Sequence, residues 1–354
     1  MGPYHPGLEE PYKLEMVCEG ESIIDAKLNI GFNFRGIEYL AQKRNHVQLI
    51  ALMERVCGIC SFIHTLTLCQ ALETLTGVQP PPRALYIRVI MAELERLHSH
   101  VLWAGIAAKL IGFKTLFMAC FEYREKVMDM LEAISGNRVN YSMNRIGGVN
   151  RDIESPSTVL AMIKQLELEI ARDLVPVFIS SVTTRSRCSG VGVLSFEKAK
   201  SCGVVGPTAR ASGIPQDLRR DAPYAAYSEM EFEVPVETAG DVRARLLVRA
   251  HEMLESCRIL NQALVKLPVG EFNRGEPKLA FPTSTAFSRV EAPRGEVFYC
   301  VKWRENSRMP ERVHVRTPTY VNMPAVRFMV NGARLADAPL IQASIDPCYS
   351  CTDR

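Results

Sequence analysis

The stretch "RVCGIC", residues 55–60, places Cys57 and Cys60 in a C-x-x-C pair, and "DPCYSC", residues 346–351, repeats that spacing with Cys348 and Cys351. Only "TDR" follows. A thiolate pair at this spacing holds one metal through both sulfurs, and two pairs supply four soft ligands. Spacing alone leaves a closed structural zinc site, a redox or catalytic metal and coincidence all open. Zinc ribbons place their pairs close together, roughly 15–20 residues apart, because the metal replaces a missing core. Here the pairs lie near opposite ends of a chain long enough to build its own core, which points to a buried centre around which the protein folds.

The chain has 354 residues, 47% of them hydrophobic, and a formal net charge of +3. That charge gives no bulk drive toward nucleic acid or anionic lipid. The N-terminus "MGPYHPGLEEPYK" lacks the basic segment and apolar run of a secretory signal, so a reducing compartment is expected. Eleven cysteines are then expected to bind metal or fill core space rather than form disulfides. The seven outside the two pairs, at 18, 69, 120, 188, 202, 257 and 300, read as core filler. The longest apolar stretch, Val101 to Phe121, is near the length of a membrane span, but Lys109 and Lys114 interrupt it. It reads as buried helix rather than as a span.

The pattern along the chain predicts an α+β, helix-dominated fold. A central bundle of long helices lies between β-rich N- and C-terminal segments. Residues 12–32 alternate around a Glu19-Gly20 turn, as a hairpin does. Residues 37–75, 83–135, 156–181 and 240–266 carry helical periodicity. Residues 182–240 hold short elements, and the last 85 residues read as short strands and loops. With no repeat and no flexible linker, the chain is expected to form one domain: 1–36 β-rich, 37–266 mainly helical, and 267–354 closing the metal site.

The residues flanking the cysteines carry more. "RVCGICSFIHT" (55–65) and "DPCYSCTDR" (346–354) resemble the two signature motifs of nickel–iron hydrogenase large subunits. "GPYHPGLEEP", "GFNFRGIE", "ELERLHSH", "SGNRVNYSM", "GPTARASG" and "EAPRG" extend the resemblance over most of the chain. Arginine at the last position is similar to the membrane-associated, energy-converting branch, which is related to the quinone-site (49 kDa) subunit of respiratory complex I. The resemblance implies reversible conversion of 2H⁺ and 2e⁻ to H2 at a Ni-Fe(CN)2(CO) centre. Cys57 and Cys348 would be terminal on nickel, with Cys60 and Cys351 bridging to iron. Arg294 would face the cyanides, oriented by Asp346, and His64 would hydrogen-bond near the bridging sulfur. Cys348, rather than the always-charged guanidinium of Arg294, would accept the first proton. Glu10, or its neighbour Glu9, would pass that proton on.

The resemblance also implies company. Electrons would come from an iron–sulfur small subunit, fed by ferredoxin or by a carbon-monoxide- or formate-oxidising enzyme. Other hydrogenase subunits, membrane subunits among them, would hold the protein peripherally on the cytoplasmic side of the cell membrane. A maturation protease would trim a longer tail back to Arg354. Many relatives end in histidine and bind magnesium there with the "RGIE" glutamate. Here Glu38 is expected to pair with Arg354 directly, the guanidinium replacing the charge of the magnesium ion, which is the alternative at this place. The alternative is a quinone-site subunit, in which a histidine matching His5 serves the quinone and the metal cysteines are absent. His98 and His100, with Glu93 and Arg96, are expected to form structural pairs.

Overall fold

The computed structural model describes residues 1–5, 8, 10–275 and 279–354. Glu9, the alternative proton gate, lies outside the described residues. The chain opens with an antiparallel hairpin of β1 (Lys13–Glu19) and β2 (Ser22–Asn29), in register from Lys13 opposite Asn29. Gly20 turns it with φ of 58°, a conformation costly for side chains with a Cβ.

Helices follow: α1 (Ile37–Ala41), α2 (His46–Glu54), α3 (Ser61–Thr76), α4 (Pro82–Leu110) and α5 (Lys114–Ser135). A minimal pair, β3 (Asn144–Arg145) and β4 (Gly148–Val149), precedes α6 (Pro156–Glu169), α7 (Val175–Ser180), α8 (Val182–Cys188), α9 (Phe196–Cys202), α10 (Pro207–Arg210) and α11 (Leu218–Asp221). The long α12 (Val242–Val265) completes the bundle. Strands β5 (Ser284–Ala292), β6 (Gly295–Trp303) and β7 (Arg312–Arg316) form an antiparallel sheet in that order. Last come α13 (Pro318–Val330), α14 (Ala338–Ser344) and α15 (Tyr349–Asp353).

Helix α4 is the axis. Pro82 opens it, where a missing N–H costs nothing. It packs on α5 and α12, and α12 packs in turn on α6. Its middle is buried on every face, charged residues included. Those charges are matched. Glu93 meets Arg96 at 3.2 Å and Arg219 at 3.1 Å, and His100 Nε2 lies 2.8 Å from Glu252. Arg210 reaches Glu252 and Glu291, and Arg219 reaches Asp217. Four carboxylates thus face three guanidinium groups, and burial pushes one of the acids, Glu291, up to about 7. His98 accepts a contact from Arg124 Nη2 at 2.6 Å.

Several sequence-based expectations need correction. The 37–75 run is three helices, because residues 42–45 interrupt it before the Asn45 cap and the first cysteine motif breaks it again between Glu54 and Ser61. The 156–181 run contains a π-helical turn over Ile170–Leu174, just before Pro176. The apolar stretch 101–121 splits at a turn around Gly112, with φ of 83°. No helix among the described residues is long and apolar enough to cross a membrane. The last 85 residues hold three helices as well as strands. The short α13–α15 carry prolines at 318, 324 and 339 that mask helical periodicity. Of the seven other cysteines, 69, 120, 188 and 257 are buried, but Cys18 is exposed and 202 and 300 are half-buried.

Candidate metal centre

Two helix starts bring the cysteine motifs together. Cys60 is the N-cap of α3 and Cys348 the N-cap of α15. The positive end of a helix favours a thiolate there. Helix α3 is seated by Glu95 of α4, whose carboxylate accepts the N–H groups of Phe62 (2.7 Å) and Ile63 (3.1 Å). One side chain clasps both motifs. Arg35 donates to the carbonyls of Arg55 (2.8 Å), Val56 (2.7 Å) and Ser350 (2.7 Å). Asp353 accepts the N–H groups of Gly31 and Asn33, and so ties the last helix to the N-terminal segment.

The result is four sulfurs in one buried place. Cys57 Sγ lies 3.4 Å from Cys348 Sγ, Cys60 Sγ lies 3.3 Å from Cys351 Sγ, and Cys348 Sγ lies 3.1 Å from Cys351 Sγ. The ligand atoms of Cys57, Cys60 and Cys351 all fall within 4.8 Å of one another. The thiols do not share one acidity. Hydrogen bonds from Cys348 and then Cys351 and Cys60 hold Cys57 well below the ordinary thiol range, and burial pushes Cys351 well above it. Four thiolates in one dry site would need cations to balance them.

Arg294 reaches the site from a two-residue turn. Ala292 pairs with Gly295 across β5 and β6, leaving Pro293 and Arg294 at the tip. The tip is buried because Gly206 lets the neighbouring loop press against it. A Cβ on Gly206 would sit 2.4 Å from the Arg294 carbonyl oxygen. The guanidinium donates to Asp346 O (2.8 Å), Asp346 Oδ1 (2.9 Å) and Ser99 Oγ (3.1 Å). Asp346 holds this position with φ of 56°, strained for a non-glycine residue. Thr319 Oγ1 accepts the Cys348 N–H at 3.0 Å.

His64 stands on the other side, its Nε2 3.4 Å from Cys351 Sγ and its Nδ1 2.8 Å from the Tyr299 hydroxyl. Burial holds it neutral, down at about 4. Glu10 Oε2 accepts the N–H groups of Tyr349 (2.6 Å) and Ser350 (3.0 Å), beside Cys348. Burial first, then the charge of Cys348, pushes its carboxyl up to about 8. At the end of the chain, Glu38 Oε1 accepts from Arg354 Nε at 2.7 Å, with Arg312 at 2.9 Å on Oε2. His5 is exposed, and the resemblance gives it no part in the sulfur site.

Sequence reasoning missed Arg35, Glu95, Ser99, Tyr299 and Thr319. Arg35, Glu95 and Ser99 lie inside quoted motifs, and membership of those motifs is the visible signal. Tyr299 and Thr319 carry none, because only the sheet and α13 bring them near. The expected closing strand is instead a helix: after Pro347, Tyr349–Asp353 coils as α15, which is what lets Cys348 and Cys351 face one side.

A small void of about 10 Å³ sits against the sulfurs, lined by Cys60, His64, Arg294, Thr319, Cys348 and Cys351 among others. Four soft sulfur donors in one buried place, with a void and the Arg294 guanidinium beside them, suit the binding of soft metal. A closed structural zinc site has no use for the void or the guanidinium.

Residues 111–288 and 276–354 match the family described as respiratory-chain NADH dehydrogenase, 49 Kd subunit, and residues 35–104 match nickel-dependent hydrogenase. The chain is 41% identical over its whole length to the carbon monoxide-induced hydrogenase of Rhodospirillum rubrum, covering 98% of that protein. It is also 41% identical, again over its whole length, to the membrane-bound hydrogenase subunit alpha of Pyrococcus furiosus, covering 86% of it. Among solved structures, a chain of the membrane-bound sulfane sulfur reductase, an archaeal respiratory membrane complex, superposes with a TM-score of 0.93 at 31% identity. That match covers 100% of this chain and 97% of the other. The protein belongs to the oxidoreductase family that joins nickel–iron hydrogenase large subunits, of the energy-converting kind, to the 49 kDa subunit of complex I.

Proposed function

We propose that the protein is the catalytic subunit of a membrane-associated, energy-converting nickel–iron hydrogenase, performing 2H⁺ + 2e⁻ ⇌ H2. One observation carries the reading: Cys57, Cys60, Cys348 and Cys351 bring four sulfurs together in a buried pocket beside Arg294. Cys57, Cys60, Cys348 and Cys351 would together hold a Ni-Fe(CN)2(CO) group through their sulfurs. When bound, that group supplies the two-electron chemistry of H2.

The chain's own residues do the rest. Arg294, held by Asp346 and Ser99, presents donors to anionic ligands where no water reaches them. His64, kept neutral by burial, is held against Cys351 with its other ring nitrogen on the Tyr299 hydroxyl. Cys348 Sγ takes the proton. Glu10, anchored on the two amides that follow Cys348, receives it with an affinity near working pH. With all four motif cysteines engaged, electrons would arrive from an iron–sulfur subunit fed by ferredoxin or another low-potential donor, and membrane subunits would couple the reaction to ion movement. Glu38 already accepts two guanidinium groups, so magnesium has no place in this reading.

The test is nickel and iron analysis with infrared spectroscopy of the purified complex, since iron-bound CO and CN⁻ absorb where protein does not. Bands with nickel support the reading. A metal-free protein that reduces quinone would instead mark a complex I-like subunit.

A further inference from the structure

Strand β5 lies at the edge of its sheet, yet its last two residues, Glu291 and Ala292, are buried. An edge strand offers backbone groups with no partner strand, and buried ones need other partners. Arg96 of α4 supplies two donors. Its Nη1 donates to the Ala292 carbonyl at 3.1 Å and its Nη2 to the Glu291 carbonyl at 2.6 Å. Its Nε donates to the Glu93 carboxylate, 3.2 Å from Oε2. The residue is 0% exposed.

Ala292 directly precedes the Pro293–Arg294 tip. Arg96 therefore grips the root of the tip, while Ser99, three residues further along α4, accepts from the Arg294 guanidinium at 3.1 Å. Residues three apart share one face of a helix. A single face of α4 thus fixes both the backbone below Arg294 and its charged head. The root is braced elsewhere too. The Glu291 carboxylate accepts from Arg210 Nη1 at 2.9 Å and from the Leu218 N–H at 3.3 Å, and the Tyr224 hydroxyl accepts the Glu291 N–H at 3.2 Å. Beyond the tip, a Cβ on Gly295 would lie 2.9 Å from Gly206 N, so that side has no slack.

A buried ion pair often fails to repay its desolvation, so stability is a poor reason to bury Arg96 with Glu93. What the pair supplies is direction. Glu93 holds Nε, and the planar fork then aims two donors at two successive carbonyls, which the point charge of a lysine cannot do. A displacement of about 1 Å caused far from the chemistry can cost about a hundredfold in rate.

We propose that Arg96 is a positioning residue for Arg294: it holds the backbone of the tip so that the guanidinium faces the anionic ligands at one fixed place. The proposal rests on the hydrogenase reading above. Arg96 acts through the backbone alone and takes no part in proton transfer.

The test uses the purified complex and reads the infrared cyanide bands, nickel content, H2 turnover and backbone hydrogen exchange of residues 289–296. Arg96→Lys keeps a charge beside Glu93 and loses the fork. Tyr224→Phe loosens the same root by one hydroxyl. Arg219→Lys disturbs Glu93 and Asp217 instead. In Arg96→Lys the bands should shift with nickel retained, exchange in the segment should quicken by about tenfold or more, and turnover should fall by about tenfold or more. Tyr224→Phe should move the same readouts by less, and Arg219→Lys should leave bands and segment exchange unaltered. Unshifted bands in Arg96→Lys beside shifted bands in Arg294→Lys would overturn the proposal and leave the hydrogenase reading standing. Equal shifts in Arg96→Lys and Arg219→Lys would mark a general loosening of the charge cluster and overturn it too. Should Arg96→Lys lose nickel, Tyr224→Phe decides: shifted bands with nickel retained support the proposal, and unshifted bands overturn it. Absence of the bands in the unaltered complex would overturn both the reading and the proposal.

Discussion

Cys60 Sγ and Cys351 Sγ lie 3.3 Å apart although 291 residues separate them in the chain. Two soft metals can bridge through such a pair, and a hard hydroxyl bridges them poorly. Cys60→Ser and Cys351→Ser should therefore each abolish H2 turnover and empty the dinuclear site. Nickel and iron analysis of the variants checks this. A fully metallated Cys60→Ser protein with normal turnover would contradict the ligand assignment.

Glu10→Gln keeps the shape of the side chain but cannot take up a proton. D2/H⁺ exchange should fall by more than about tenfold, the usual weight of a positioned acid–base group, with nickel unchanged. A full-rate Glu10→Gln protein beside an inactive Glu9→Gln would move the gate by one residue.

Arg294→Lys keeps the charge and loses the fork that spans Asp346 and Ser99. A lysine cannot remake all three buried hydrogen bonds, each worth about 0.5–1.5 kcal/mol or more, so the melting temperature should drop. The infrared cyanide bands should shift, because the donors facing them are gone. Unchanged bands would exclude contact between Arg294 and the iron ligands.

Burial drives His98 down to about 3 and His100 to about 4, from an ordinary value of 6.5. Below pH 6.5 the unfolded chain takes up protons that the folded chain refuses. This contribution to stability is thus complete above pH 6.5 and is lost as pH falls toward 4, by up to about 1.4 kcal/mol per unit for each histidine. Thermal melts from pH 7 to 4 should show that fall, and His98→Gln should flatten it. An unchanged slope in His98→Gln would mean that His98 already carries its proton.

Glu93 accepts from Arg96, Arg219, Tyr227 and Ser256. Glu93→Ala should destabilise the protein by about 3–5 kcal/mol, because buried Arg96 loses its main counter-charge and buried Arg219 one of its two. Denaturant unfolding measures it. Arg138→Ala, in an exposed cluster, should change stability by under about 1 kcal/mol.

Much was legible in the sequence because it is local. The β1–β2 hairpin announces itself by alternation around Glu19-Gly20, and the long helices by their period. The cysteine motifs carry their own spacing and flanks, so Cys57, Cys60, Cys348, Cys351, Arg294 and Asp346 could be named before any coordinate. The short helices α13–α15 could not be read, since a few residues and three prolines leave too little periodicity.

The sequence by itself determined the ligand chemistry: soft sulfur donors, an arginine and a histidine in recognisable company. Only the tertiary structure decided which groups are alone. Gln342 Oε1 and Asp346 Oδ2 are ordinary acceptors in the chain and become unpartnered only when α4, α14 and the N-terminal segment close around them. Arg35 and Tyr299 likewise acquire roles from neighbours far away in sequence. Residue type fixes what an atom can bind. Whether it finds a partner depends on packing between distant segments, which no local pattern encodes.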